Sequence, residues 1–115
     1  MKRLSIMILL GLASCATLTA RGTVPTGEWV SSKSLDDTAA CVVGALDGAD
    51  SRLTHAIQIK VPNRIYEVAP QQTITVGAEI YFVRLAVEGR QTQMQLFSTG
   101  VFTSQMKPAV ARCAS

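Results

Sequence analysis

The chain has 115 residues, of which 48% are hydrophobic and 5% aromatic, and it carries 11 Lys and Arg against 8 Asp and Glu for a formal charge of +3. That length builds one small domain around one core and excludes two. Two of the cations, Lys2 and Arg3, stand at the very start, so the remainder holds nine basic against eight acidic residues with no basic run interleaved with aromatics, which excludes binding to nucleic acid through its phosphates.

The first element is an export signal. Behind Lys2 and Arg3 runs an apolar stretch from Leu4 to Ala13, broken only by Ser5 and Gly11, and small residues precede Cys15. This is the three-part grammar of a secretory signal. A membrane-spanning helix needs ~20 apolar residues and this stretch has about half of that, so it exports the chain without anchoring it.

Leu12-Ala13-Ser14-Cys15 resembles the lipobox of bacterial lipoproteins, in which a Leu, two small residues and a Cys direct lipid attachment and then cleavage. The resemblance implies a signal peptide over residues 1–14, a mature chain of 101 residues, and a diacylglyceryl group with an N-acyl chain on Cys15. At ~0.8 kcal/mol per buried CH₂, where one myristoyl chain is marginal, three chains hold a protein to a membrane almost permanently. In Gram-negative lipoproteins an Asp directly after the lipidated Cys commonly retains the protein in the inner membrane. Ala16 stands there instead, so the resemblance implies the periplasmic face of the outer membrane.

From Cys15 to Lys33 the chain is rich in Thr, Ser and Gly, without sustained periodicity, and reads as a lipidated N-terminus and tether. Gly27-Glu28-Trp29-Val30 interrupts it with the only Trp, expected to cap the core at the domain's edge. The domain itself is expected over residues 34–115.

Ser34, followed by Leu35-Asp36-Asp37, supplies an N-cap hydroxyl and first-turn carboxylates that favour a helix dipole. Leu35, Thr38, Ala39, Val42, Ala45, Leu46 and Ala49 then form one apolar stripe with Cys41 at its border, and the helix is expected to run to about Asp47 and stop at Gly48. The period then changes to two. His55, Ile57, Ile59 and Val61 share one face of a half-buried strand, opposite Ala56, Gln58 and Lys60. Pro62-Asn63 makes a turn, Ile65 to Val68 a second strand, and Pro70-Gln71-Gln72 another break before Thr73 to Val76.

Glu79 to Val87 is almost continuously apolar and is expected to be a central strand, returning through Glu88-Gly89 along Gln91 to Ser98. A two-residue loop sets residue 85 opposite 92, 83 opposite 94 and 81 opposite 96. Tyr81, Val83, Leu85, Thr92, Met94 and Leu96 then share the core face. A three-residue loop would set Val83 and Leu85 against Gln95 and Gln93, so the apolar pattern selects the two-residue loop. Val101 and Phe102 extend beyond Gly100, and Lys107 to Cys113 reads as a short helix with Pro108 in its first turn. The expected architecture is α+β: an amphipathic helix packed on a four-stranded, mainly antiparallel meander, closed by a short C-terminal helical turn.

With Cys15 taken by lipid, Cys41 and Cys113 remain, and in an oxidising compartment such a pair reads as one disulfide. Their spacing of 72 residues fits neither a CxxC redox motif nor a zinc site. The single histidine, His55, falls on the apolar face of a strand and is expected to be a hydrogen-bonded structural residue. Asp36, Asp37, Asp47 and Asp50 lack the spacing of a calcium loop and suit helix-start and turn positions, so no metal is expected. Gly-rich phosphate loops and a GxSxG elbow are missing, and no cofactor is expected.

The mature domain also resembles the small Gram-negative lipoproteins that pair one amphipathic helix with a short sheet and a cysteine near the C-terminus; Cys41 and Arg112-Cys113 carry that likeness. The function expected is a periplasm-facing binding or accessory module for an envelope protein. The alternatives are an immunity lipoprotein that neutralises an antibacterial effector, and a cell-wall-active enzyme, which the missing acid/base constellation disfavours. The partner is expected to dock on the face opposite the core, where Ile80, Phe82, Arg84 and Phe97 are read as an exposed, mainly apolar cluster, unless the tether with Trp29 or the C-terminal segment folds over it and buries it.

Overall fold

The computed structural model describes residues 24–74 and 79–115. The signal segment and the lipobox with Cys15 lie outside these residues. Eight elements follow in chain order: β1 (Gly27–Ser31), α1 (Leu35–Ala49), β2 (His55–Val61), β3 (Ile65–Pro70), α2 (Gln71–Ile74), β4 (Tyr81–Glu88), β5 (Gln91–Ser98) and α3 (Gly100–Ala111).

Helix α1 starts where its sequence signals place it. The Ser34 hydroxyl accepts from the Asp37 amide at 3.1 Å, satisfying one of the donors that an N-terminus leaves unpaired. Leu35, Thr38, Ala39, Val42 and Leu46 are its buried stripe. Its end differs from expectation: the helix passes through Gly48 and terminates at Asp50, whose amide donates to the Leu46 carbonyl. Gly48 is exposed and meets nothing, so it is tolerated within the last turn.

The sheet has five strands in the order β1-β5-β4-β3-β2, every neighbouring pair antiparallel. This corrects the expected four, because Gly27–Ser31 belongs to the sheet as an edge strand on β5 and not to a tether. Five residues are too few for an alternating pattern to stand out. Within them the Trp29 ring folds back over Gly27, where any Cβ would meet its Cη2 at 2.4 Å, so glycine lets the ring lie there and a larger residue would displace it. At the other end of β3, Thr73 and Ile74 lie in the helical turn α2 and not in a strand.

The β4–β5 loop has two residues, as expected, but they are Gly89 and Arg90, so Leu85 pairs with Met94, Val83 with Leu96 and Tyr81 with Ser98. The register therefore slips by two residues from the expected one while every side chain keeps its face. The cause is backbone sterics. The primed turns that suit two-residue hairpins need positive φ at their first loop position, which Gly89 adopts at 64° and Glu88 would resist.

One sheet face carries Tyr66, Val68, Tyr81, Val83, Leu85, Met94 and Leu96 against α1 and α3, forming the main core. Helix α3 begins at Gly100, well before the expected start at Lys107, since Phe102, Met106, Ala109 and Val110 already make an inward stripe. Pro108 thus stands in the helix interior, on its exposed side. Cys41 and Cys113 form a disulfide that ties α1 to the chain end just beyond α3, with their Cα atoms 5.8 Å apart. On the chain-entropy model a loop of this length is worth about 4 kcal/mol, a large share of the 5–15 kcal/mol typical of a folded domain.

Candidate functional site

Three surfaces or clusters carry chemistry beyond core packing. The first is the open sheet face, where the register aligns one polar residue from each strand in a row: Glu28, Gln95, Arg84, Glu67 and Gln58. Arg84 anchors it. Its Nε and Nη2 both donate to Glu67 Oε2, at 3.2 and 3.1 Å, and its guanidinium lies 5.2 Å from the Phe97 ring centre and 5.9 Å from that of Phe82. Glu67 is buried, and Lys60 Nζ also reaches it at 3.9 Å. A buried carboxylate with a bonded cation at its side is a stable arrangement, whereas either charge alone would be expensive to bury.

This row changes the expected docking cluster. Phe82 and Phe97 retain only 1% and 7% exposure; their rings stack at 4.7 Å and pack with Ala69 and Ile74 into a second, smaller core. The reading of an exposed apolar patch is therefore corrected: the segment Pro70 to Ile74 turns over the face and brings Ile74 onto the rings. Ile80 packs against the main core instead. Of the four residues Ile80 and Arg84 remain partly exposed, the Arg84 side chain at 38%. The structure thus brings Phe82, Arg84 and Phe97 together, the two rings covered beside the polar row with the Arg84 guanidinium over them.

The second is a polar cluster at the C-terminal end of α1, buried at His55, Tyr81 and Asp50 and open to solvent at Asp47 and Arg52. Asp47 Oδ1 lies 2.7 Å from His55 Nδ1, and His55 Nε2 lies 2.6 Å from the Tyr81 hydroxyl, which is also 3.3 Å from Asp50 Oδ2. Arg52 Nε donates to Asp50 Oδ1 at 3.1 Å. The Tyr81 hydroxyl donates its one proton to Asp50 Oδ2, and its oxygen faces His55 Nε2. Burial, followed by the Asp50 charge, pushes the Tyr81 hydroxyl far above its ordinary pKa, so it keeps that proton. For Asp50 burial works in the raising direction, but the Arg52 hydrogen bond and charge and the Tyr81 hydroxyl outweigh it and hold the carboxyl below its usual range.

Carboxylate, imidazole and hydroxyl in line suggest a nucleophilic triad, but the hydroxyl at the end of this line has no solvent contact and holds its proton firmly. What the cluster does is structural: it fastens α1 and the start of β2 to β4. Both His55 nitrogens are bonded, which is the role expected for this histidine. A related tie fixes the other end of α1, where the Tyr66 hydroxyl donates to Asp36 at 3.0 Å. That hydrogen bond, with burial, raises the Tyr66 pKa.

The third is the outer strip of β2. Ile57 and Ile59 sit at one edge of the sheet on the helix side, yet they remain 42% and 60% exposed, while Val61, past the bulge, pairs with Ile65 and turns to the other face. The expected half-buried strand thus buries only its first residue, His55. The reason is reach: α1, about 22 Å long, covers the central strands and ends over His55 and Tyr81, leaving the outer strand beyond the helices.

Among the described residues no group of three or more His, Cys, Asp or Glu side chains converges to hold a metal ion, and no helix is long and apolar enough to cross a membrane. No protein-family model matches the chain, and no curated protein or solved structure matches it.

Proposed function

We propose that the chain is a lipid-anchored protein of the Gram-negative envelope, on the periplasmic face of the outer membrane, that binds another envelope protein and catalyses no reaction. The observation that carries this reading is the segment Leu12-Ala13-Ser14-Cys15 behind a basic start and an apolar run. The Cys41–Cys113 disulfide supports it, since such bonds persist in oxidising compartments. The open sheet face supports the binding part. A row of Glu28, Gln95, Arg84 and Gln58 over a rigid sheet, with buried Glu67 holding Arg84 in place, offers donors and acceptors in fixed order, the kind of surface that specifies a partner by polar matching.

The test is capture from envelope extract by the full lipidated protein, beside a Gln95→Lys variant. Gln95 is partly exposed, second in the row beside Arg84, so its replacement disturbs the surface and leaves the fold. A protein retained by the wild type and lost by Gln95→Lys supports the reading; equal retention by both places binding elsewhere and refutes the polar row as the site.

A further inference from the structure

The outer edge of β2 is unpaired among the described strands, and its backbone is poised for pairing. In an antiparallel ladder, alternate residues direct both N–H and C=O toward the same neighbour. The Gln71 amide donates to the Thr54 carbonyl, which sets Thr54, Ala56 and Gln58 toward β3 and therefore turns the backbone groups of Ile57 and Ile59 outward. The same two residues expose apolar side chains on the helix side. Natural edge strands are guarded by bulges, prolines or outward charges. Here the bulge lies at the far end, between Ile59 and Val61, and the one charge, Lys60, leans back toward Glu67 at 3.9 Å. The stretch 57–59 is left open.

We propose that β2 pairs with β2 of a second copy of this chain, antiparallel about a two-fold axis through Gln58, to make one continuous ten-stranded sheet. This register is self-complementary, as a two-fold interface requires. Ile57 of each copy lies opposite Ile59 of the other, so all four isoleucines share one apolar patch. On the opposite face the two Gln58 amides meet, and each can both donate and accept. Lys60 falls opposite Ala56, so no like charges face each other. The polar row then runs unbroken across both copies. Ile57 and Ile59 offer on the order of a quarter of the ~800 Å² per partner that a standard interface buries, so the pairing is weak and reversible. It does not depend on the lipid anchor.

The experiment is oxidative cross-linking of the purified full chain in detergent. In this register the two residues at position 58 form a narrow pair, with Cα atoms about 4.5 Å apart, within disulfide range. Gln58→Cys should therefore give a covalent dimer on non-reducing gels, several-fold above Arg90→Cys, a control in the exposed β4–β5 turn. Adding Ile59→Lys to Gln58→Cys should return the yield to the control level. If Gln58→Cys cross-links no better than Arg90→Cys, or if Ile59→Lys leaves its yield unchanged, the pairing is wrong. Because no lipid is needed, a negative result here leaves the anchor reading intact, and the reverse also holds.

Discussion

Replacing Phe97 by Ala tests the burial of the second core directly. The ring is 7% exposed, stacks on Phe82 with centres 4.7 Å apart and planes 10° from parallel, and lies under the Arg84 guanidinium. Buried Phe→Ala replacements cost 3–5 kcal/mol, and a small cluster at the rim of a sheet can relax into part of the space, so the lower figure of about 3 kcal/mol applies. For a domain of this size each kcal/mol moves the melting temperature by about 4–8 °C, which predicts a fall of roughly 12–24 °C. Thermal unfolding followed by far-ultraviolet circular dichroism reads this. The double replacement of Phe82 and Phe97 should lose less than the sum of the singles, because the first removal already ends the stacking contact. A Phe97→Ala protein melting within about 3 °C of the wild type would mean that the rings form a surface and not a core, and the rejected apolar docking patch would return.

Two further outcomes follow from other contacts. Cys41→Ser with Cys113→Ser should destabilise the domain by about 4 kcal/mol in urea titration; an unchanged midpoint would show that the bond constrains nothing. Asp50 has a folded pKa below its ordinary value, so its contribution is present above about pH 4 and is lost as pH falls through the lower folded value. Asp50→Asn should therefore weaken the protein at neutral pH and flatten its acid limb. An acid limb identical to that of the wild type would remove Asp50 from the account.

What the sequence revealed, and what it hid, divides along physical lines. The α1 start was legible because capping is local: Ser34 and the Asp37 amide are three residues apart. The faces of β4 and β5 were legible because alternation of period two survives any even slip in register. The register itself turned on a single backbone angle, that of Gly89, and the signal lay in the order Glu-Gly-Arg: glycine belongs at the first loop position. Strand β1 escaped notice because five residues with one Trp carry little periodicity. Burial on either side of the sheet was the hardest to read, since alternation names two faces and not what covers them. Ile57 and Ile59 look like core yet lie beyond the helices, while Phe82 and Phe97 look like surface yet lie under Ile74. The polar cluster joins Asp47, Asp50, His55 and Tyr81 across up to 34 positions; Asp47 and Asp50 read singly as turn residues, Tyr81 as core and His55 as a histidine in need of a partner, and no local pattern showed that they meet.

The lipid on Cys15 holds the protein to its membrane, and metabolic labelling with radioactive palmitate reads that lipid out. The wild-type protein should take up label and fractionate with the outer membrane, while Cys15→Ala should remain unlabelled and keep its signal segment. Equal labelling of both proteins, or label in neither, would contradict the account.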